Sequence, residues 1–234
     1  MAHDSHDSHE YIPEIAVDRN GKEHVVQGWQ GDFEGAKLGF WLFMLTEVLM
    51  FGAMFMTLSY YFTLHHAEFI KASSELDRVL GGVNTVVLLI SALTMGLGLL
   101  KMRSGDVKGA KLMIWATILL ALIFLGVKAL EWSNDYKEGI FLGLSTMQAG
   151  GGKSFGELLF FGMYFTMTGL HGFHIIIGIG LMLWLLKRIN SGKVSPEHHI
   201  LHFNIALYWD LVHLIWVFVF PYFYMTGAGG AIHG

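Results

Sequence analysis

Five apolar stretches, each near or beyond the length that crosses a bilayer, constrain this chain more than any other feature. They run roughly over residues 38–62, 80–100, 112–130, 158–186 and 200–225. A helix rises about 1.5 Å per residue, so about 20 apolar residues cross a hydrocarbon layer about 30 Å thick. The stretches lack the two-residue alternation of barrel strands. Backbone groups in lipid must find partners within their own segment, which dictates helices. The expected fold is therefore all-α, a polytopic membrane bundle of five transmembrane helices. The expected layout is a polar N-terminal arm (1–35), a five-helix membrane domain (36–226) and a short tail (227–234).

Composition agrees with that class. Hydrophobic residues make up 53% of the 234 positions and charged ones 15%, too apolar a balance for a soluble domain. With no cysteine, disulfides and thiolate metal sites are excluded. A net charge of -4 and the lack of a basic run give nucleic-acid binding no support. The first residues lack the basic and apolar regions of a cleaved signal peptide. His3, His6 and His9 lie among Asp and Ser in the arm. A weak metal-binding tail and a disordered, solvated arm both fit them, and the low hydrophobicity favours the second. Lys and Arg cluster in the arm (Arg19, Lys22, Lys37), after the second stretch (Lys101, Arg103, Lys108, Lys111) and after the fourth (Lys187, Arg188, Lys193). This bias puts the N-terminus inside and the C-terminus outside. Ser195-Pro196-Glu197 reads as the start of the fifth helix, with Pro196 in its first turn.

Several polar groups fall where lipid cannot solvate them. The fourth stretch carries Gly169-Leu170-His171-Gly172-Phe173-His174. Helical spacing puts His171 and His174 on one face, and the glycines, with Gly178 and Gly180, allow another helix to approach closely. Glu47 is the tenth residue of the first stretch, about 15 Å deep. Its own helix offers no cation, so desolvation favours the neutral acid. It reads either as a proton-handling carboxyl or as an acid hydrogen-bonded to a neighbouring helix. Lys128, Glu131 and Trp132 at the end of the third stretch read as an anchoring cluster, with the lysine snorkelling outward and the indole at the interface. Asp210 and His213, one turn apart in the fifth stretch, are expected to satisfy each other. Histidines on several helices also raise a haem-binding cytochrome, in which His171 or His174 pairs with His213. The second and third stretches hold no histidine, which weighs against it.

The chain resembles subunit III of haem-copper terminal oxidases, the cytochrome c oxidase type, over about residues 35–225. The motifs are Lys37-Leu38-Gly39 leading to Thr46-Glu47-Val48, then Val83-Asn84-Thr85-Val86-Val87-Leu88-Leu89. The His171–His174 motif, His198-His199, and Tyr208-Trp209 with Trp216 follow. In this order and spacing they are highly specific. The resemblance implies a subunit without redox cofactors or an active site, with no metal of its own. It implies packing against subunit I, which holds haem and copper, together with subunit II and a small subunit IV. It further implies a proton-related buried carboxyl at Glu47 and bound phospholipid near Arg188 and Lys187, while His171, His174, Asp210 and His213 are read from their depth as buried structural groups. The expected setting is aerobic electron transport in a bacterial inner membrane. Quinol oxidases and nitric oxide reductase-associated homologues share the five-helix form, so the electron donor stays open. Three departures stand out. The two first helices of seven-helix relatives are missing. Trp209-Asp210-Leu211-Val212-His213 reverses the family's Trp-His-Phe-Val-Asp. His202-Phe203-Asn204 stands where many members carry a glutamate.

Overall fold

The structure, a computed structural model, describes residues 14–17, 23–26, 28–137, 153–196 and 199–227. His3, His6, His9, Glu197 and His198 lie outside the described residues, as does most of the glycine-rich 148–153 connector. The chain divides into two compact units, 1–46 and 47–234.

In the first unit, β1 (Glu14–Val17) and β2 (Glu23–Val26) pair antiparallel, with Glu14 opposite Val26 and Val17 opposite Glu23. The stretch read as an arm thus contains regular structure. The helix of the first span also begins earlier than the apolar pattern does, at Gly28. A helix needs no apolar residues to start, only satisfied backbone groups, so hydropathy marks the lipid boundary and not the helix end.

Among the described residues the membrane part is all-α, and five of its helices are long and apolar enough to span. They are α1 (Gly28–Leu64), α3 (Arg78–Arg103), α4 (Val107–Lys137), α5 (Phe155–Asn190) and α6 (Ile200–Phe220). A short α2 (His66–Glu75) follows α1. It buries Phe69, Ala72 and Ser73, with Ala72 and Ser73 three and four residues on from Phe69 and hence on one face. The Ser73 hydroxyl donates to the Phe223 carbonyl at 2.6 Å, and the Gly227 N–H donates to Ser73 Oγ at 2.9 Å. These bonds tie α2 to the end of the last span.

Local chemistry explains the helix ends. Asp77 caps α3, its Oδ1 accepting from the N–H groups of Val79 and Leu80 at 2.9 and 3.1 Å. Between α3 and α4 the chain turns at Gly105, whose φ of 86° suits glycine. Asp106 then accepts from the Gly109 N–H at 2.8 Å and from Lys101 Nζ at 2.9 Å. The Lys101 bond, the largest cause, and the Gly109 N–H hold the Asp106 carboxyl below the ordinary carboxylate value. Ser154 and Glu157 form a capping box at the start of α5, a Ser-x-x-Glu signal present in the sequence. Pro196 does not enter the last helix. That helix starts at Ile200, and the His199 ring donates from Nδ1 back to the Pro196 carbonyl at 2.7 Å. Beyond Phe220 the chain continues as one π-helical turn, Pro221–Met225, which buries Phe223 and Tyr224.

The core lies among α3, α4, α5 and α6. Trp209 and Trp216 are fully enclosed there, with Phe124, Phe160, Phe161 and Tyr164. At Gly178 a Cβ would stand 2.6 Å from the Trp209 ring, so glycine is what lets α5 and α6 close on that indole. Gly180 meets nothing within 4 Å of a built Cβ and carries no such role inside the described chain.

Candidate functional site

Glu47 and His174 come together. Within the second unit α1 presents a seam of Glu47, Phe51 and Leu58, four and seven residues apart and hence on one face. His174 Nε2 lies 2.9 Å from Glu47 Oε2, and the side chains keep only 10% and 14% exposure. The other ring nitrogen, Nδ1, is 2.7 Å from the Leu170 carbonyl. A carbonyl only accepts, so Nδ1 carries a proton. One further proton lies on the axis between Nε2 and Oε2. It belongs either to a glutamic acid facing a neutral ring or to an imidazolium facing a carboxylate, and the pair is neutral both ways. Phe51 meets the imidazole edge-on at 5.6 Å, and the Tyr208 hydroxyl donates to the His174 carbonyl at 2.9 Å. Of the two readings of Glu47, the hydrogen bond to a neighbouring helix is present. Its cationic or neutral partner sits on α5, where spacing along α1 could not reveal it.

The other histidines face different surroundings. His171 is fully buried and stacks on Trp216 at 5.0 Å, with an angle of 30° between the rings. His213 gives its Nδ1 proton to the Trp209 carbonyl at 2.5 Å, and its Nε2 lies 2.7 Å from Ser91 Oγ. Both nitrogens of His174 and of His213 are therefore committed to bonds within the chain, a poor arrangement for axial haem ligands. Among the described residues no group of three or more His, Asp or Glu comes together as a metal site.

Asp210 does not pair with His213. The three-residue spacing puts the two roughly 60° apart around α6. His213 points inward to Ser91 of α3, whereas Asp210 is exposed on the outer face without a hydrogen-bond partner among the described residues.

Lys128 also departs from expectation. Lys128 does not snorkel: its exposure is 7% and that of Glu131 is 2%. Its three protons go to Glu131 Oε2 at 3.1 Å, Tyr164 Oη at 3.0 Å and Tyr224 Oη at 2.7 Å. The Tyr164 hydroxyl donates to Glu131 Oε1 at 2.8 Å, and the Tyr224 hydroxyl donates to the same oxygen. The ammonium also lies 5.2 Å from the Trp216 ring centre. Trp132 packs edge-on against Phe165 at 5.5 Å. The signal for this network was present in the sequence. Ile114, Ala121, Phe124, Lys128 and Glu131 recur at seven, three, four and three residues, so the lysine shares the buried stripe of α4.

At the far end of α5, Lys187 is exposed and Arg188 half-exposed, the guanidinium 5.1 Å from the Trp184 ring centre. Two apolar grooves flank α1. One, of about 480 Å³, is bordered by Met54 and Thr57 on α1 and by Met163 and Thr166 on α5. The second, of about 400 Å³, is bordered by Phe51 and Phe55 on α1 and by Leu211 and Phe218 on α6. Both can take hydrocarbon chains. Arg188 stands 22 residues beyond Thr166, about 33 Å along the helix, so the first groove and the cationic end lie at opposite membrane faces.

A sequence profile of the family "Cytochrome c oxidase subunit III" matches residues 22–228. Curated relatives are similar along most of their length. "Quinol oxidase subunit 3" of Bacillus spizizenii is 31% identical over 198 residues, 82% of this chain and 88% of that one. "Probable quinol oxidase subunit 3" of Staphylococcus haemolyticus is 32% identical over 198 residues, 82% and 89% of the two chains. "Quinol oxidase subunit 3" of Bacillus subtilis is 30% identical over the same length, 82% and 88%. With five helices long and apolar enough to span and this match across all of them, the chain belongs to the subunit III family of haem-copper oxidases.

Proposed function

We propose that this chain is a non-catalytic core subunit of a proton-pumping oxygen reductase, and that its Glu47–His174 pair supports proton supply to the catalytic subunit. The pair carries the reading because it is neutral in both of its proton arrangements. A carboxyl hydrogen-bonded to an imidazole brings together two groups that can each hold a proton, which suits a relay at membrane depth. Haem and copper belong to the partner subunit I, accompanied by subunit II and a small subunit IV. Bound phospholipid takes the grooves beside α1, and a separate headgroup sits at Lys187 and Arg188, where guanidinium and ammonium suit phosphate. The complex resides in a bacterial inner membrane with this subunit's N-terminus inside, as the Lys and Arg bias supports.

The test is Glu47→Gln in the whole oxidase. The amide can still donate to Nε2 but cannot carry a mobile proton. The haem spectrum should be unchanged, while steady-state oxygen uptake slows or decays sooner over repeated turnover. An unchanged rate and lifespan would end the proton-supply reading.

The sequence motifs leave the electron donor open, and the similarity to quinol oxidase subunits favours quinol over cytochrome c. Oxygen uptake by the purified complex with reduced cytochrome c, and separately with a short-chain quinol, distinguishes the two.

A further inference from the structure

His213 sits at the centre of the bundle, thirteen residues after Ile200 and twelve before Met225, about 20 and 18 Å from the two ends of its span. It is buried, as are Ser91 and Trp209 beside it. The contacts among these three residues outnumber the protons that their neutral forms carry. The Trp209 carbonyl only accepts, so His213 Nδ1 holds one proton. Ser91 Oγ lies 2.7 Å from His213 Nε2 and 2.7 Å from the Leu88 carbonyl. A serine hydroxyl has one proton for those two contacts. It also accepts from the Trp209 indole N–H at 3.3 Å. When the ring is neutral, the hydroxyl donates to Nε2 and leaves the Leu88 carbonyl to its own helix. When the ring carries a second proton, Nε2 donates to Ser91 Oγ and the hydroxyl turns to the Leu88 carbonyl. Every contact then holds a proton. Both states use the same heavy-atom positions.

From this geometry we infer that His213 and Ser91 form a second proton-binding site, separate from the Glu47–His174 pair, which takes up one proton from solvent as the surroundings acidify. The proton forms a new N–H bond with the Nε2 lone pair. No other covalent bond changes, and only the Ser91 hydroxyl rotates. Burial works against the cation, while the charge-assisted bonds to Ser91 Oγ and the Trp209 carbonyl work for it. The neighbouring helices leave the balance to those bonds. Between Arg78 and Lys101, α3 carries no titratable residue. On α4, Lys128 is paired with Glu131, so the two charges cancel. On α5, His171 stacks on Trp216, one turn along α6 from His213, and neither of its ring nitrogens has a partner among the described residues. On α6 itself, Asp210 lies on the exposed face. The Glu47–His174 pair meets α6 at Tyr208, five residues back from His213 and about 140° around the helix. The site therefore stands whether or not that pair supplies protons to the catalytic subunit.

The test is infrared spectroscopy of the intact complex with isotopically labelled histidine rings, from about pH 8 to about pH 5, the range in which imidazole changes charge. Spectra of His213→Asn are subtracted from native spectra at each pH. The expected result is an imidazolium band that is absent at the upper end and present at the lower. Ser91→Ala removes the acceptor of a charge-assisted bond. It should lower the proton affinity about tenfold, moving the band down by about one pH unit. Glu47→Gln should leave the band in place, which separates this site from the proton role given to Glu47. A band at neither end, or at both, would overturn the inference. So would a band that Ser91→Ala does not move downward, or one that Glu47→Gln removes. Should His213→Asn fail to accumulate, native minus Ser91→Ala decides: an imidazolium difference confined to about one pH unit supports the site, and none overturns it.

Discussion

Two buried polar centres in this chain are built on opposite plans. The Lys128–Glu131–Tyr164–Tyr224 network is closed: all three lysine protons are given away, and both carboxylate oxygens are occupied. The Glu47–His174 pair is open: one proton lies between two atoms that can each hold it. A closed network in a low-dielectric interior locks geometry, since moving any member strands another. The open pair is a single bond between two helices, so losing one member strands no charge if the other is neutral. The first centre suits holding α4, α5 and the end of α6 together. The second is a single hydrogen bond joining α1 to α5.

The largest expected effect comes from breaking the closed network. Lys128→Met leaves Glu131 buried without its cation and should cost about 3–5 kcal/mol. The thermal midpoint and membrane yield of the subunit would report it. Lys128→Met combined with Glu131→Leu should recover a large part of that loss, because no charge is then stranded. An unperturbed single variant would mean that the lysine is not held as described.

The open pair should be milder. His174→Leu leaves a carboxyl that can retain the proton and stay neutral, at a cost of about 1–3 kcal/mol for one lost buried bond. The same thermal measurement checks it. A loss as large as that of Lys128→Met would erase the distinction between the two centres.

The smallest effect belongs to a charge pair outside the bilayer. Asp106 is held below the ordinary carboxylate value chiefly by Lys101. Its stabilisation is therefore complete above the ordinary value and is lost as pH falls through the lowered one. Asp106→Asn should remove that acid-sensitive component, with little change at neutral pH because the pair is exposed and screened. Thermal midpoints of native and variant protein across an acid series would show the native value converging on the variant. Parallel curves would rule out this role for the turn.

Much of the architecture follows from one-dimensional pattern. Five apolar stretches of bilayer length become helices because lipid leaves the backbone no other partner, and the observed spans extend those stretches by a few polar residues. The Lys128 stripe and the Ser154–Glu157 box also leave signals in the sequence, one as helical spacing and the other as local capping, but the reading of Lys128 as a snorkelling anchor passed over the first. What sequence spacing could not decide is which groups on different helices meet. Asp210 and His213 are near neighbours along the chain, yet the rotation between them sends one to Ser91 and the other out of the bundle. Glu47 and His174 lie 127 residues apart and share a hydrogen bond. Tyr224 reaches Lys128 from the π-helical turn after α6, across 96 residues. Helical periodicity reports the direction a side chain takes from its own axis. Its partner depends on how neighbouring axes are placed and rotated, and that placement comes from packing, such as the closure of α5 and α6 on Trp209 at Gly178.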